Sequence, residues 1–181
     1  MRKIDDIGKR TALAGVGTAI SLVFVTLAFF VKNLSLSFYV LSAAGVMLPL
    51  CLDYYREGFL TAIAVTVAGF FIANVAVVPF AMASGFYVVF SIFWYNKKFN
   101  RWLGYLIKAA YACLVFFVLY KVTALLAVDF SSLPKIQALP FWAIYIILNV
   151  LFVLCFIVYD ILLEQGYVYL KKLLKKVVKK N

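Results

Sequence analysis

Asp53, Glu57, Asp160 and Glu164 are the carboxylates best placed to take part in proton transfer, and each lies at the end of a long apolar run beside basic residues. In that setting they read as ion-pair partners rather than as a catalytic pair. Histidine is absent, which removes the commonest general base and metal ligand and rules out any Ser-His-Asp set. No glycine-rich phosphate loop is present, and Cys51, Cys113 and Cys155 lie inside apolar runs without CxxC spacing, where they serve as small apolar residues. The expectation is a chain without catalytic residues, metal or cofactor, and not an enzyme. What remains is a handful of polar groups deep inside apolar runs: Asn74, Lys121, Asn149 and the tyrosines Tyr87, Tyr120 and Tyr145. An amide in hydrocarbon is costly unless paired. These groups either bond neighbouring helices together or line a small-molecule pocket built from Asn74, Tyr87, Lys121, Trp142, Tyr145 and Asn149. In the second case Lys121 meets an anionic group and Trp142 and Tyr145 pack against a ring. Lys121 by itself, like Lys108, also suits snorkelling to an interface.

The elements that must position these groups follow from composition. Of 181 residues, 67% are apolar and 14% charged, whereas a soluble domain is roughly 45–50% apolar. A soluble fold of this length would leave a large apolar surface exposed. A soluble enzyme, a nucleic-acid-binding domain, a disulfide scaffold and a disordered tail are excluded. Six spans of about 20 residues account for the apolar total. The expected fold is therefore an all-α integral membrane protein with six transmembrane helices, since lipid offers no partner for an open backbone.

Charges and breakers place the spans at about 11–31, 34–52, 58–77, 80–95, 102–128 and 140–163. No charged residue occurs from Gly58 to Asn96. One helix over that stretch would reach about 58 Å, twice the hydrocarbon thickness, so it must be two spans. Pro79 lies near its middle, where a helix is most easily stopped. Asp129–Leu139 reads as a polar loop, and Pro140 suits a first helical position. The apolar run of 21 residues from Thr11 to Val31 exceeds the apolar core of a signal peptide, so the first span reads as uncleaved.

With the N-terminus inside, 15 of the 18 basic residues fall on the cytoplasmic side, leaving Lys32, Lys121 and Lys135 towards the outside. The positive-inside rule then puts both termini in the cytoplasm. Residues 1–165 form the membrane domain and 166–181 a basic tail. Gly166 is expected to break the helix there. In the tail Leu170, Leu173, Leu174, Val177 and Val178 form a helical stripe, with lysines on the other faces. This predicts a C-terminal amphipathic helix lying on anionic lipid, each lysine contributing about 1 kcal/mol. No nucleic acid is expected, because the basic residues are dispersed between spans.

At the start of the first span Thr11, Gly15 and Ala19 recur every four residues, with Ala14 and Thr18 alongside. Small residues at this spacing allow close approach of another helix, either within the same bundle or from a separate subunit.

This organisation resembles the substrate-binding S components of energy-coupling factor vitamin transporters, and more closely the S-component-like membrane proteins of Firmicutes. The resemblance runs over nearly the whole chain. It rests on Lys9-Arg10-Thr11-Ala12-Leu13-Ala14-Gly15-Val16, on the Asp53-Tyr54-Tyr55-Arg56-Glu57-Gly58 turn, on Phe93-Trp94-Tyr95-Asn96-Lys97-Lys98, and on Asn149 and Tyr159-Asp160. It implies a multi-pass protein of a bacterial cytoplasmic membrane, with a pocket facing outside. It further implies docking through the first helix to a coupling membrane subunit with its cytoplasmic ATPases. The family's Ala-x-x-x-Ala face corresponds here to Ala14-x-x-x-Thr18 and Gly15-x-x-x-Ala19. The resemblance implies capture of a small nutrient such as a vitamin. From the residues alone, a non-catalytic structural or regulatory scaffold of the cell envelope stands beside it.

Overall fold

The computed structural model describes residues 2–97, 100–125 and 141–180. The expected loop Asp129–Leu139, the end of the fifth span and Pro140 lie outside the described residues. Among the described residues the chain is all-helical. Its helices are α1 (Arg2–Phe30), α2 (Ser35–Leu50), α3 (Tyr55–Ala73), α4 (Tyr87–Lys97), α5 (Arg101–Leu125) and α6 (Phe141–Lys180). A 3-10 turn, Lys32–Leu34, precedes α2; another, Asn74–Val77, follows α3; a π-helical segment, Phe80–Phe86, leads into α4. Among the described residues, five of these helices are long and apolar enough to cross a membrane: α1, α2 with its 3-10 lead-in, α3, α5 and α6. α4 has 11 residues and by itself reaches only about 17 Å.

The chain divides into two compact units, Met1–Lys98 with Leu163–Asn181, and Phe99–Leu162. In the first unit α1 crosses α2 where Gly17 meets Gly45. A Cβ on Gly17 would collide with the Gly45 carbonyl oxygen, and one on Gly45 with that of Gly17. Only glycine permits this approach. Ser21 then donates from Oγ to the Ser42 carbonyl at 2.7 Å, so a buried hydroxyl is paired across the helices. One turn apart along α1, Gly17, Ser21 and Val25 are buried, with Ala28 continuing the same face. α3 joins through Thr61, whose Oγ1 donates to the Glu57 carbonyl at 2.9 Å and reaches that of Ala14 at 3.5 Å.

The uncharged stretch from Gly58 is divided as expected, but the break falls earlier than Pro79. Asn74 ends α3 with φ 51° and ψ −132°, a positive-φ conformation outside the left-handed helical region that glycine adopts freely and a side chain strains. Pro79 instead sits in the first turn of the following helical segment, where its missing N–H costs nothing. Gly166 breaks nothing: α6 is helical straight through it. A lone glycine costs a helix only about 1 kcal/mol, and the packed residues on both sides outweigh that.

The second unit is an antiparallel hairpin of α5 and the first part of α6. Its seam is an aromatic ladder. Tyr111 meets Phe156 at 6.3 Å, Phe116 meets Phe152 at 5.5 Å and Tyr145 at 5.3 Å, and Tyr120 meets Tyr145 edge-on at 5.5 Å. Such contacts add about 0.5–1.5 kcal/mol each beyond their buried area.

Candidate functional site

At the end of the hairpin farthest from Trp102, α5 and α6 enclose an open groove of about 400 Å³ lined by Phe117, Tyr120, Lys121, Trp142, Tyr145 and Ile146. Its size falls within the usual range for small-molecule sites, roughly 300–1,000 Å³. The walls come from i, i+3 and i+4 positions of both helices, so the helical period alone brings them together. Three of the expected ligand residues, Lys121, Trp142 and Tyr145, meet here. The lining is almost entirely apolar. Lys121 is exposed, and its ammonium lies 5.7 Å from the Phe117 ring centroid, within the range of a cation–π contact. Among the described residues no carboxylate is paired with it.

The other three expected ligand residues are elsewhere. Asn149 sits one turn along α6 from Tyr145, outside the groove lining, and accepts a hydrogen bond from the Cys113 thiol at 3.5 Å. It ties the hairpin together instead. Asn74 is the exposed turn residue that ends α3. Tyr87 is fully buried in the first unit, inside its core. Both belong to a different compact unit from Lys121.

The expected docking residues of α1 separate into two sets. Thr11, Gly15 and Ala19 are exposed, and a Cβ on Gly15 would meet nothing within 4 Å. This face lies to one side of the Gly17–Ser21–Val25 face that packs on α2. Ala14 and Thr18 are half-buried: the Thr18 hydroxyl donates to the Ala14 carbonyl at 2.8 Å, and Thr61 approaches that same carbonyl.

Two polar constellations were not anticipated as units. In the hairpin, Lys108 Nζ lies 2.6 Å from Asp160 Oδ2, with side chains only 10% and 7% exposed. Lys108 therefore does not snorkel outward. Its charge is neutralised sideways, because a buried charge without a partner is far more costly than a paired one. The signal was present: each is an isolated charge in its run, and the two stand at matching depth from the same end of an antiparallel pair.

The second constellation closes the α2–α3 turn of the first unit. Asn96 Nδ2 donates to Tyr55 Oη and Tyr167 Oη, both at 2.8 Å. Lys171 Nζ donates to Tyr167 Oη at 2.8 Å and to Asp53 Oδ1 at 3.2 Å. Asp53 holds φ 62° in the turn itself. Nearby, Arg10 lies 3.9 Å from Glu57 and 4.6 Å over the Tyr54 ring. Asp53, Glu57 and Asp160 are thus ion-paired. The start of the tail turns buried Tyr167 and half-buried Lys171 into this network rather than lying free.

No family model, curated protein or solved structure matches the chain.

Proposed function

We propose that the chain is a six-span membrane protein of the bacterial cytoplasmic membrane, with both termini in the cytoplasm, acting as the substrate-binding S subunit of an energy-coupling factor type transporter. The sixth crossing is the π-helical segment and α4 taken together: helical backbone continues from Val78 to Lys97, 20 residues, the length a span needs. Its role is to bind a small nutrient such as a vitamin and present it to a coupling membrane subunit whose ATPases supply the energy. The basic tail, with exposed Lys172 and Lys176, adds affinity for anionic lipid.

The observation that carries this reading is the outward face of α1. Thr11, Gly15 and Ala19 present small side chains a turn apart to empty space, and small-residue faces are how helices approach one another closely in lipid, where no hydrophobic effect drives association. The groove at Lys121, Trp142 and Tyr145 supports the binding role.

The test is co-purification with a coupling subunit expressed alongside. The variant carrying Gly15→Leu and Ala19→Leu fills the outward face without touching the chain's own core, since Gly15 has no neighbour within 4 Å and Ala19 is exposed. It should fold normally and lose the coupling subunit. Undiminished co-purification would remove α1 as the interface, and absence of any coupling partner for the unaltered chain would favour an envelope scaffold.

A further inference from the structure

The groove between α5 and α6 says something about its occupant that the transport reading leaves open. A polar nutrient needs several convergent donors and acceptors, because each buried polar group left unmatched weakens binding. This lining offers almost no polar surface, although Tyr120, Lys121 and Tyr145 are among its residues, and Lys121 is itself exposed. Its walls are also strongly exposed: Phe117 51%, Trp142 67% and Ile146 52%. They continue along the helices into exposed apolar residues, Leu114 before Phe117 on α5, and Val150 and Leu154 after Ile146 on α6. The groove is therefore one end of the apolar flank that the hairpin presents to its surroundings. Finally, Lys121 stands 19 residues beyond Trp102 on one helix, about 28 Å, which matches the thickness of the hydrocarbon layer. If Trp102 marks one interface, the Lys121 ammonium marks the other, at headgroup level, with the apolar groove directly below it.

We propose that the groove takes an amphiphile from the bilayer: a long-chain monoanion whose head pairs with Lys121 and whose apolar chain lies against Phe117, Trp142 and Ile146. Entry is sideways from the outer leaflet, not down an aqueous funnel. This names the substrate class of the binding site and rests on the proposed binding role. The aromatic walls select chain over bulk lipid by shape and contact area, and Lys121 selects a charged head over a neutral one. An exposed pair of charges contributes up to about 1 kcal/mol, and more where the chain excludes water, so the head should account for roughly three- to tenfold in affinity.

The experiment uses the full chain in nanodiscs of zwitterionic lipid, photolabelled with a diazirine-bearing palmitate and mapped by peptide mass spectrometry. Labelling should concentrate on residues 117–121 and 142–146, saturate, and fall with excess palmitate but much less with methyl palmitate. Lys121→Gln should reduce site labelling three- to tenfold and erase the preference for acid over ester, while Lys121→Arg should keep it. Trp142→Ala should weaken labelling by acid and ester probes alike. Labelling spread along α5 and α6 in proportion to exposure, indifference to Lys121→Gln, or competition by water-soluble 2-naphthoate but not by palmitate would each overturn the proposal. Co-purification with a coupling subunit is read in parallel. A docked chain without groove labelling refutes the amphiphile alone, whereas groove labelling without docking upholds the site and refutes the transport role.

Discussion

Lys108 and Asp160 show how much a charge in an apolar helix depends on an opposite charge beside it. Both side chains are at least nine-tenths buried, at 2.6 Å, so removing one strips the other of its opposite charge. Lys108→Ala or Asp160→Ala should destabilise the protein by about 3–5 kcal/mol, whereas Lys108→Met with Asp160→Leu should come within about 1–2 kcal/mol of the unaltered chain. Thermal unfolding in a mild detergent measures this, and equal damage from single and double variants would mean that packing, not charge pairing, holds the site. Their matching depth on an antiparallel pair hinted at the partnership, but a run of sequence gives the depth of a charge and not the direction its side chain takes. Asn149 teaches the same lesson. Its amide looked equally suited to a ligand or to a neighbouring helix, and the rotation of α6 aims it at Cys113.

Among the elements, α1 carries two small-residue faces with opposite tolerance. Gly45→Ala forces a methyl against the Gly17 carbonyl and Ser21, and such overpacking should cost about 1–3 kcal/mol. Gly15→Ala meets no neighbour and should be neutral or slightly stabilising, because alanine favours helix by about 1 kcal/mol. Chemical or thermal denaturation of the two variants compares them directly; a reversed order would place the helix crossing on the wrong face. α3 ends at Asn74 in a conformation unfavourable to branched side chains. Asn74→Gly should leave stability unchanged or raise it, and Asn74→Val should cost about 1–3 kcal/mol. If Asn74→Gly instead abolished ligand binding without affecting stability, the amide would be a ligand group after all.

For the whole molecule, the proposed arrangement predicts one measurable topology. Single cysteines placed at Lys3 and Lys180, in a chain with Cys51, Cys113 and Cys155 replaced by alanine, should both react with a membrane-impermeant maleimide only after the inner face is opened. Labelling of the two ends from opposite sides would overturn the six-span arrangement and with it the outward-facing groove. The tail adds a constraint of its own. Tyr167 and Lys171 pin one face of its first turns to Asn96, Leu50 and Asp53, so lipid meets the other face, where Tyr169, Lys172 and Leu173 are exposed, and the stretch beyond.

The sequence by itself determined that the chain is helical and, within a few residues, where α1 and α2 end and where the uncharged stretch from Gly58 is divided, but not that α6 runs on through Gly166. Those properties are local: run length, the placement of charges and the positions of turn residues are all read along the chain. Only the tertiary structure decided which face of each helix looks inward, that Gly17 rather than Gly15 meets α2, that Lys108 answers Asp160, and that Tyr87 and Asn74 belong to a different compact unit from Lys121. The physical reason is that a helix apolar on all sides has no amphipathic stripe to fix its rotation. Rotation is set by shape at close contacts, and those contacts join residues far apart in sequence.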